Sequence, residues 1–130
     1  MEEPDLLKKK FLIIDDEEGI VVEVKGYFEE EGFDVRTAET GKEGIDQINQ
    51  FRPDVLLLDM KLPDMSGLSI LKICKEISPD TKIIVNTGYV DQNLFDEAEK
   101  LGRDSLLQKP FDLQVLKAEV DRLLAQNPRA

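Results

Sequence analysis

The chain has 130 residues, enough for one domain with a sizeable core and too few for two. Hydrophobic residues at 41% and charged residues at 35% exclude an intrinsically disordered chain. The 28 acidic and 17 basic residues leave a formal net charge of −11, a field that repels polyanions and argues against direct nucleic-acid binding.

From Lys8 onward, five short apolar runs alternate with five amphipathic stretches. The first run, Phe11-Leu12-Ile13-Ile14, is continuously hydrophobic, as a strand covered on both faces is. A helical period follows, with Ile20, Val24, Tyr27 and Glu31 on one arc and Val21 and Phe28 beside it. Phe33-Asp34-Val35 is more polar and reads as an edge strand. Thr40-Gly41-Lys42-Glu43 fits a capping box that opens the second helix. Val55-Leu56-Leu57-Leu58 is the third run, and Leu68, Leu71 and Cys74 recur behind it at helical spacing. Ile83-Ile84-Val85 is the fourth, followed by a short helix around Leu94, Phe95 and Ala98 with Asp91 as its cap. Ser105-Leu106-Leu107 is the fifth, and Asp112 caps a last helix carrying Leu113, Leu116, Val120 and Leu123. Five strand-helix alternations predict an α/β fold with a parallel sheet and helices on both faces. The reading divides the chain into an N-terminal extension over 1–7, a domain over 8–125 and a tail over 126–130.

No apolar run approaches the ~20 residues of a membrane span, and the acidic start Met1-Glu2-Glu3 is unlike a signal peptide. The single cysteine, Cys74, fits a reducing cytoplasm and reads as core. Histidine is absent, which removes His-based triads and the usual general base near neutral pH. Chemistry must then run on carboxylates, hydroxyls and lysines.

Polar residues interrupt the apolar runs at their carboxyl ends. Asp15 and Asp16 end the first, Asp59 the third, Thr87 the fourth and Lys109 the fifth. In an open doubly wound sheet those ends share one edge, where ligands bind. Taken singly, an Asp-Asp pair is a helix cap, Lys109-Pro110 a turn and Thr87-Gly88 a strand end. Their joint placement carries the argument. Three carboxylates close together are costly unless a cation joins them, and hard oxygen donors suit Mg²⁺. A carboxylate is also a competent nucleophile toward phosphorus, and phosphoryl transfer needs charge neutralisation more than a base. Lys109 and Mg²⁺ supply that charge, the Thr87 hydroxyl a hydrogen bond, and Gly88 keeps space open for the incoming group.

Phe11-Leu12-Ile13-Ile14-Asp15-Asp16-Glu17 resembles the opening strand and acidic pair of response-regulator receiver domains. The stretch from Arg52 through Asp59-Met60-Lys61-Leu62-Pro63-Asp64-Met65-Ser66-Gly67 is similar to their phosphorylation strand and loop. Asn86-Thr87-Gly88-Tyr89 and Lys109-Pro110-Phe111 complete the set, over about residues 8–125. The resemblance implies a flavodoxin-like sheet in the order 2-1-3-4-5, the order documented for a member of that family. It implies Asp59 as phosphoacceptor, receiving its group from a sensor histidine kinase or phosphotransfer protein. Asp16, Asp59 and the main-chain carbonyl of Lys61 would bind Mg²⁺ directly, and Asp15 mostly through a metal-bound water. Thr87 would move toward the phosphoryl group, Lys109 would pair with it, and the Lys109-Pro110 bond would be cis.

The implied protein is a signalling module rather than an enzyme, catalysing only its own phosphorylation and slow dephosphorylation. Its output face is the fourth helix, fifth strand and fifth helix. The implied partners are an output domain or target protein and a second copy in a phosphorylation-dependent homodimer. The chain is read as either free-standing or the receiver part of a longer regulator. Two features are its own. Leu106 stands where many receivers carry an aromatic residue, so the usual aromatic swing cannot occur. Lys61 and Tyr89 stand where the family varies, and a long cation and a large ring there predict slow loss of the phosphoryl group.

Other readings fit less well. A haloacid-dehalogenase-type phosphatase needs a second aspartate two positions after the first, where Lys61 stands, and a cap domain. A dinucleotide-binding module needs a glycine-rich turn that Asp15-Asp16-Glu17-Glu18-Gly19 does not provide. A receiver-like scaffold without chemistry would have lost one of the acidic pair, Asp59, Thr87 or Lys109, and all are present.

Overall fold

The computed structural model describes residues 8–88 and 91–126. Along the chain it forms β1 (Lys10–Ile14), α1 (Glu18–Glu30), β2 (Asp34–Ala38), α2 (Gly41–Phe51), β3 (Val55–Asp59), α3 (Gly67–Ile77), β4 (Lys82–Thr87), α4 (Gln92–Lys100), β5 (Ser105–Gln108) and α5 (Leu113–Ala125). All strand pairs are parallel, in the order β2-β1-β3-β4-β5. The chain leaves β1 toward β2 on one side and returns to β3 on the other. A crevice therefore opens at the carboxyl ends of β1 and β3, where the order reverses.

Burial explains the continuous apolar runs. Side chains alternate across the sheet, and both of its faces are covered. Leu12, Ile14, Leu56, Leu58, Ile83 and Val85 face Ile48 and Phe51 of α2, Ile70, Leu71 and Cys74 of α3, and Ala98 of α4. Phe11, Ile13, Val55, Leu57 and Ile84 face Val21, Val24 and Phe28 of α1 and Leu116, Val120 and Leu123 of α5. Phe11 and Phe28 meet edge to face at 4.6 Å. Each fully buried large side chain contributes roughly 1.5–3 kcal/mol by transfer from water.

Local sequence rules shaped the elements, with two adjustments. The buried stripe of α1 is Val21, Val24 and Phe28; Ile20 and Tyr27 flank it, and Glu31 is exposed beyond the helix end, paired with Lys117 at 3.4 Å. The predicted arc was thus centred one residue early, because Phe11 on β1 selects Phe28. The second strand also starts at Asp34 and runs on to Ala38, while Phe33 precedes it and packs on Phe28 at 5.2 Å. Thr40 caps α2 by accepting from the Glu43 N–H at 3.1 Å, and the Glu43 carboxylate accepts from the Glu39 N–H at 3.0 Å, one residue further back than in a standard capping box. Asp91 and Asp112 cap α4 and α5 through their side chains. Burial pushes the Cys74 thiol up to about 11, as befits a core residue. No helix among the described residues is long and apolar enough to cross a membrane. The extension over 1–7 and the tail from 127 lie outside the described residues.

Candidate functional site

The carboxyl ends of β1, β3, β4 and β5 bring their polar residues to one edge. Asp59 is the last residue of β3 and is 5% exposed. Asp15 follows β1 and is fully buried. Its Oδ1 accepts from the Glu17 N–H at 2.8 Å, and its own N–H donates to the Ala38 carbonyl at 3.0 Å. Lys109 follows β5, and its ammonium lies 3.0 Å from Asp15 Oδ2, 2.5 Å from Glu17 Oε1 and 3.5 Å from Asp59 Oδ2. One cation is thus shared by three carboxylates. The Lys109-Pro110 bond is cis, as expected.

Burial governs the charge of Asp59. Desolvation raises its pKa to about 6, the Asp15 carboxylate pushes the same way, and the Lys109 ammonium and the Lys61 N–H pull it down. That Lys61 N–H donates to Asp59 Oδ1 at 3.3 Å. Desolvation works against the Lys109 ammonium, but hydrogen bonds to Glu17 and Asp15 and the charges of Asp15 and Asp59 outweigh it and raise its pKa.

The loop after Asp59 is held from several sides. The Met60 N–H donates to the Asn86 carbonyl at 3.3 Å, and the Gly67 N–H donates to the Met60 carbonyl at 2.8 Å. Lys61 and Ser66 form an antiparallel bridge, and Ser66 caps α3. Asp64 Oδ1 accepts from the Gly41 N–H at 2.7 Å and Asp64 Oδ2 from the Lys42 N–H at 3.0 Å. The loop is therefore pinned to the amino end of α2, and these donors hold the Asp64 carboxyl below the usual carboxylate range.

A cavity of about 370 Å³ opens over this cluster, lined by Asp16, Glu17, Asp59, Lys61, Gly88 and Lys109 among others. Asp16 is exposed at its mouth. Thr87 is fully buried, and its carbonyl accepts from the Lys109 N–H at 2.8 Å. It lines an adjoining groove of about 860 Å³ that shares Lys61 with the smaller cavity. A β-carbon on Gly88 would meet nothing nearer than Lys109 Cβ at 3.9 Å, so packing does not demand glycine there. Tyr89 lies outside the described residues.

Asp15, Glu17 and Asp59 each present an oxygen within 4.8 Å of the others. Three hard anionic donors, Glu17 and Asp59 lining a polar cavity and Asp15 buried beside them, fit a divalent cation such as Mg²⁺. Glu17 was not singled out from sequence, although it continues the acidic run Asp15-Asp16. Asn86, with its Nδ2 donating to Asp15 Oδ2 at 3.3 Å, was also missed, since a residue one before a site threonine carries no pattern of its own.

Comparisons with known proteins agree with this layout. The family described as response regulator receiver domain matches residues 11–121. The chain is 34% identical over 119 residues to sporulation initiation phosphotransferase F of Bacillus subtilis, covering 92% of this chain and 96% of that one. Its structure is similar to that of a CheY-like receiver domain protein from Methanospirillum hungatei, with a TM-score of 0.90 and 31% identity over 92% of this chain and 96% of that one. A response regulator from Burkholderia pseudomallei, solved with a phosphorylated aspartic acid, calcium ion and citrate, superposes with a TM-score of 0.82 at 28% identity, over 93% of this chain and 74% of that one. With five parallel strands in the order 2-1-3-4-5 and the family match spanning most of its length, the chain belongs to the response regulator receiver domain family of two-component signalling.

Proposed function

We propose that this receiver, over about residues 8–125, takes a phosphoryl group on Asp59 from the phosphohistidine of a sensor kinase or phosphotransfer protein. The observation that carries the reading is the Lys109 ammonium shared among Asp15, Glu17 and Asp59 at the sheet's switch point. An Asp59 oxygen forms the new O–P bond while the P–N bond to the imidazole breaks, its electron pair leaving with the ring. Lys109 neutralises charge on the moving group, and the Thr87 hydroxyl donates a hydrogen bond to it. Asp16, Asp59 and the Lys61 carbonyl would hold Mg²⁺, with Asp15 acting through water. When bound, the ion neutralises phosphoryl oxygens and relieves repulsion among the carboxylates. The phosphorylated aspartic acid and calcium ion of the Burkholderia regulator support this assignment by similarity.

Phosphorylation adds roughly −1.5 to −2 charge, so Lys109 exchanges carboxylate partners for phosphoryl oxygens. The ends of β4 and β5 follow, and the face of α4, β5 and α5 changes its affinity for an output domain, a target protein or a second copy. Leu106, half-buried against the α2–α4 side of the core, makes that coupling aliphatic. The setting is cytoplasmic, where such kinases present their phosphohistidine.

The test is intact mass after incubation with acetyl phosphate and Mg²⁺. Wild type gains ~80 Da, a phosphoryl group replacing a proton, and Asp59→Asn gains nothing. Modification of both would show that another residue accepts the group, and modification of neither would overturn the reading.

A further inference from the structure

β4 buries Ile83, Ile84 and Val85 completely, and then Asn86 completely as well. A buried carboxamide among aliphatic neighbours costs stability unless all its polar atoms are partnered. Here only part of it is. Asn86 Nδ2 donates to Asp15 Oδ2 at 3.3 Å, while Asn86 Oδ1 is buried with no partner. An apolar residue would suit the strand better, so the amide answers to the site beside it. Asn86 is the register partner of Asp59 across β3 and β4, and its side chain shares the Asp15–Asp59 face of the sheet.

Asp15 Oδ2 has two side-chain donors, Lys109 at 3.0 Å and Asn86 at 3.3 Å. In the reading given above, on which this inference rests, Lys109 leaves Asp15 for the phosphoryl group. Asp15 Oδ1 then keeps the Glu17 N–H, and Oδ2 loses its ammonium and retains Asn86 as its side-chain donor, without which a buried carboxylate oxygen would be left unsatisfied. Asn86 sits on β4, between β3 and β5, and its hydrogen bond to Asp15 does not pass through Lys109.

We propose that Asn86 is a positioning residue that holds Asp15 in its metal-directed orientation, independently of Lys109, and so sets the affinity of the acidic cluster for Mg²⁺. Its Oδ1 is left as a buried acceptor with no partner.

The test is Mg²⁺ titration of the 130-residue chain, followed by ¹H–¹⁵N spectra, for wild type, Asn86→Leu, Asp15→Ala and the double variant. Asn86→Leu is expected to raise the Mg²⁺ midpoint about tenfold, the low end of what losing a hydrogen bond to a metal-site ligand costs. In the Asp15→Ala background it is expected to add nothing, because Asn86 acts through Asp15. If leucine does not fit, Asn86→Ala, which cannot overfill the space, must give the same pattern. A midpoint that moves by less than about twofold, or that moves equally with and without Asp15, overturns the inference. A wild type that shows this Mg²⁺ dependence but takes no phosphoryl group supports the role of Asn86 and overturns the phosphoacceptor reading instead.

Discussion

Lys109 Nζ lies closer to Asp15, at 3.0 Å, than to Asp59, at 3.5 Å. The cation nearest the proposed phosphoacceptor is therefore held mainly by its neighbours, and Asp59 carries an incompletely compensated charge. With its folded pKa raised from 3.8 to about 6, Asp59 binds more protons folded than unfolded between those values. Stability contributed there falls as pH rises through this window, and the full penalty applies above about pH 6. With chelator present, Asp59→Asn is expected to be more stable than wild type near neutral pH, by about 1–3 kcal/mol. The advantage fades as pH falls toward 4. Urea unfolding across this range checks it; an advantage that does not change with pH would contradict the mechanism.

Mg²⁺ relieves the same repulsion. At about 100 times its Kd the ion is expected to stabilise wild type by about 2.7 kcal/mol, read as a shift in thermal or urea unfolding on chelation. Asp16→Ala should lose most of that gain. Glu17→Ala should keep it, because Glu17 is already committed to Lys109 at 2.5 Å, whereas Asp16 is exposed at the cavity mouth. The opposite ranking would make Glu17 the ligand.

Two glycines near the site should respond differently to alanine. A β-carbon on Gly67 would lie 2.5 Å from the Asp59 carbonyl oxygen and 2.7 Å from Met60 Cα, both backbone atoms that cannot step aside. Gly67→Ala is expected to cost about 1–3 kcal/mol or more and to displace the end of β3. Gly88→Ala meets only an ordinary contact at 3.9 Å and should leave the unfolding midpoint essentially unchanged. Paired melting curves decide between them.

Asp64 ties the loop bearing Lys61 to the two N–H groups that open α2. Asp64→Ala should lower the melting temperature and raise the Mg²⁺ midpoint together, since the same bonds anchor the helix end and the loop. A lowered melting temperature with an unchanged midpoint would mean that the loop is positioned without this anchor.

Lys61 borders both the small cavity and the larger groove. Lys61→Ala is expected to shorten the lifetime of the phosphorylated protein by opening the group to water, measured as decay of the mass-shifted species after desalting. An unchanged or longer lifetime would remove Lys61 from that role.

Much of this molecule is legible in its residues. The apolar run Val55–Leu58 followed by Asp59 announces a covered strand ending in a polar site, because desolvation tolerates a carboxylate only where the sheet edge opens. The N-caps Thr40, Asp91 and Asp112 were equally local, since each helix start needs acceptors within a few residues. The stripe on α1 was legible only to within one residue, because a 3.6-residue period locates a face and its packing partner locates the centre.

What the sequence by itself determined, then, was the alternation of elements, the strand ends that carry Asp15, Asp59, Thr87 and Lys109, and a family resemblance. Only the tertiary structure decided that Lys109 serves Glu17 and Asp15 before Asp59, that Asp64 reaches back to α2, and that Asn86 is buried with half its amide unpartnered. These contacts join residues far apart in the chain, Lys109 and Glu17 by 92 positions and Asn86 and Asp15 by 71. Hydrogen bonds and ion pairs fall off within a few ångströms, so their partners depend on sheet register and side-chain reach, and no short-range pattern in the sequence encodes either.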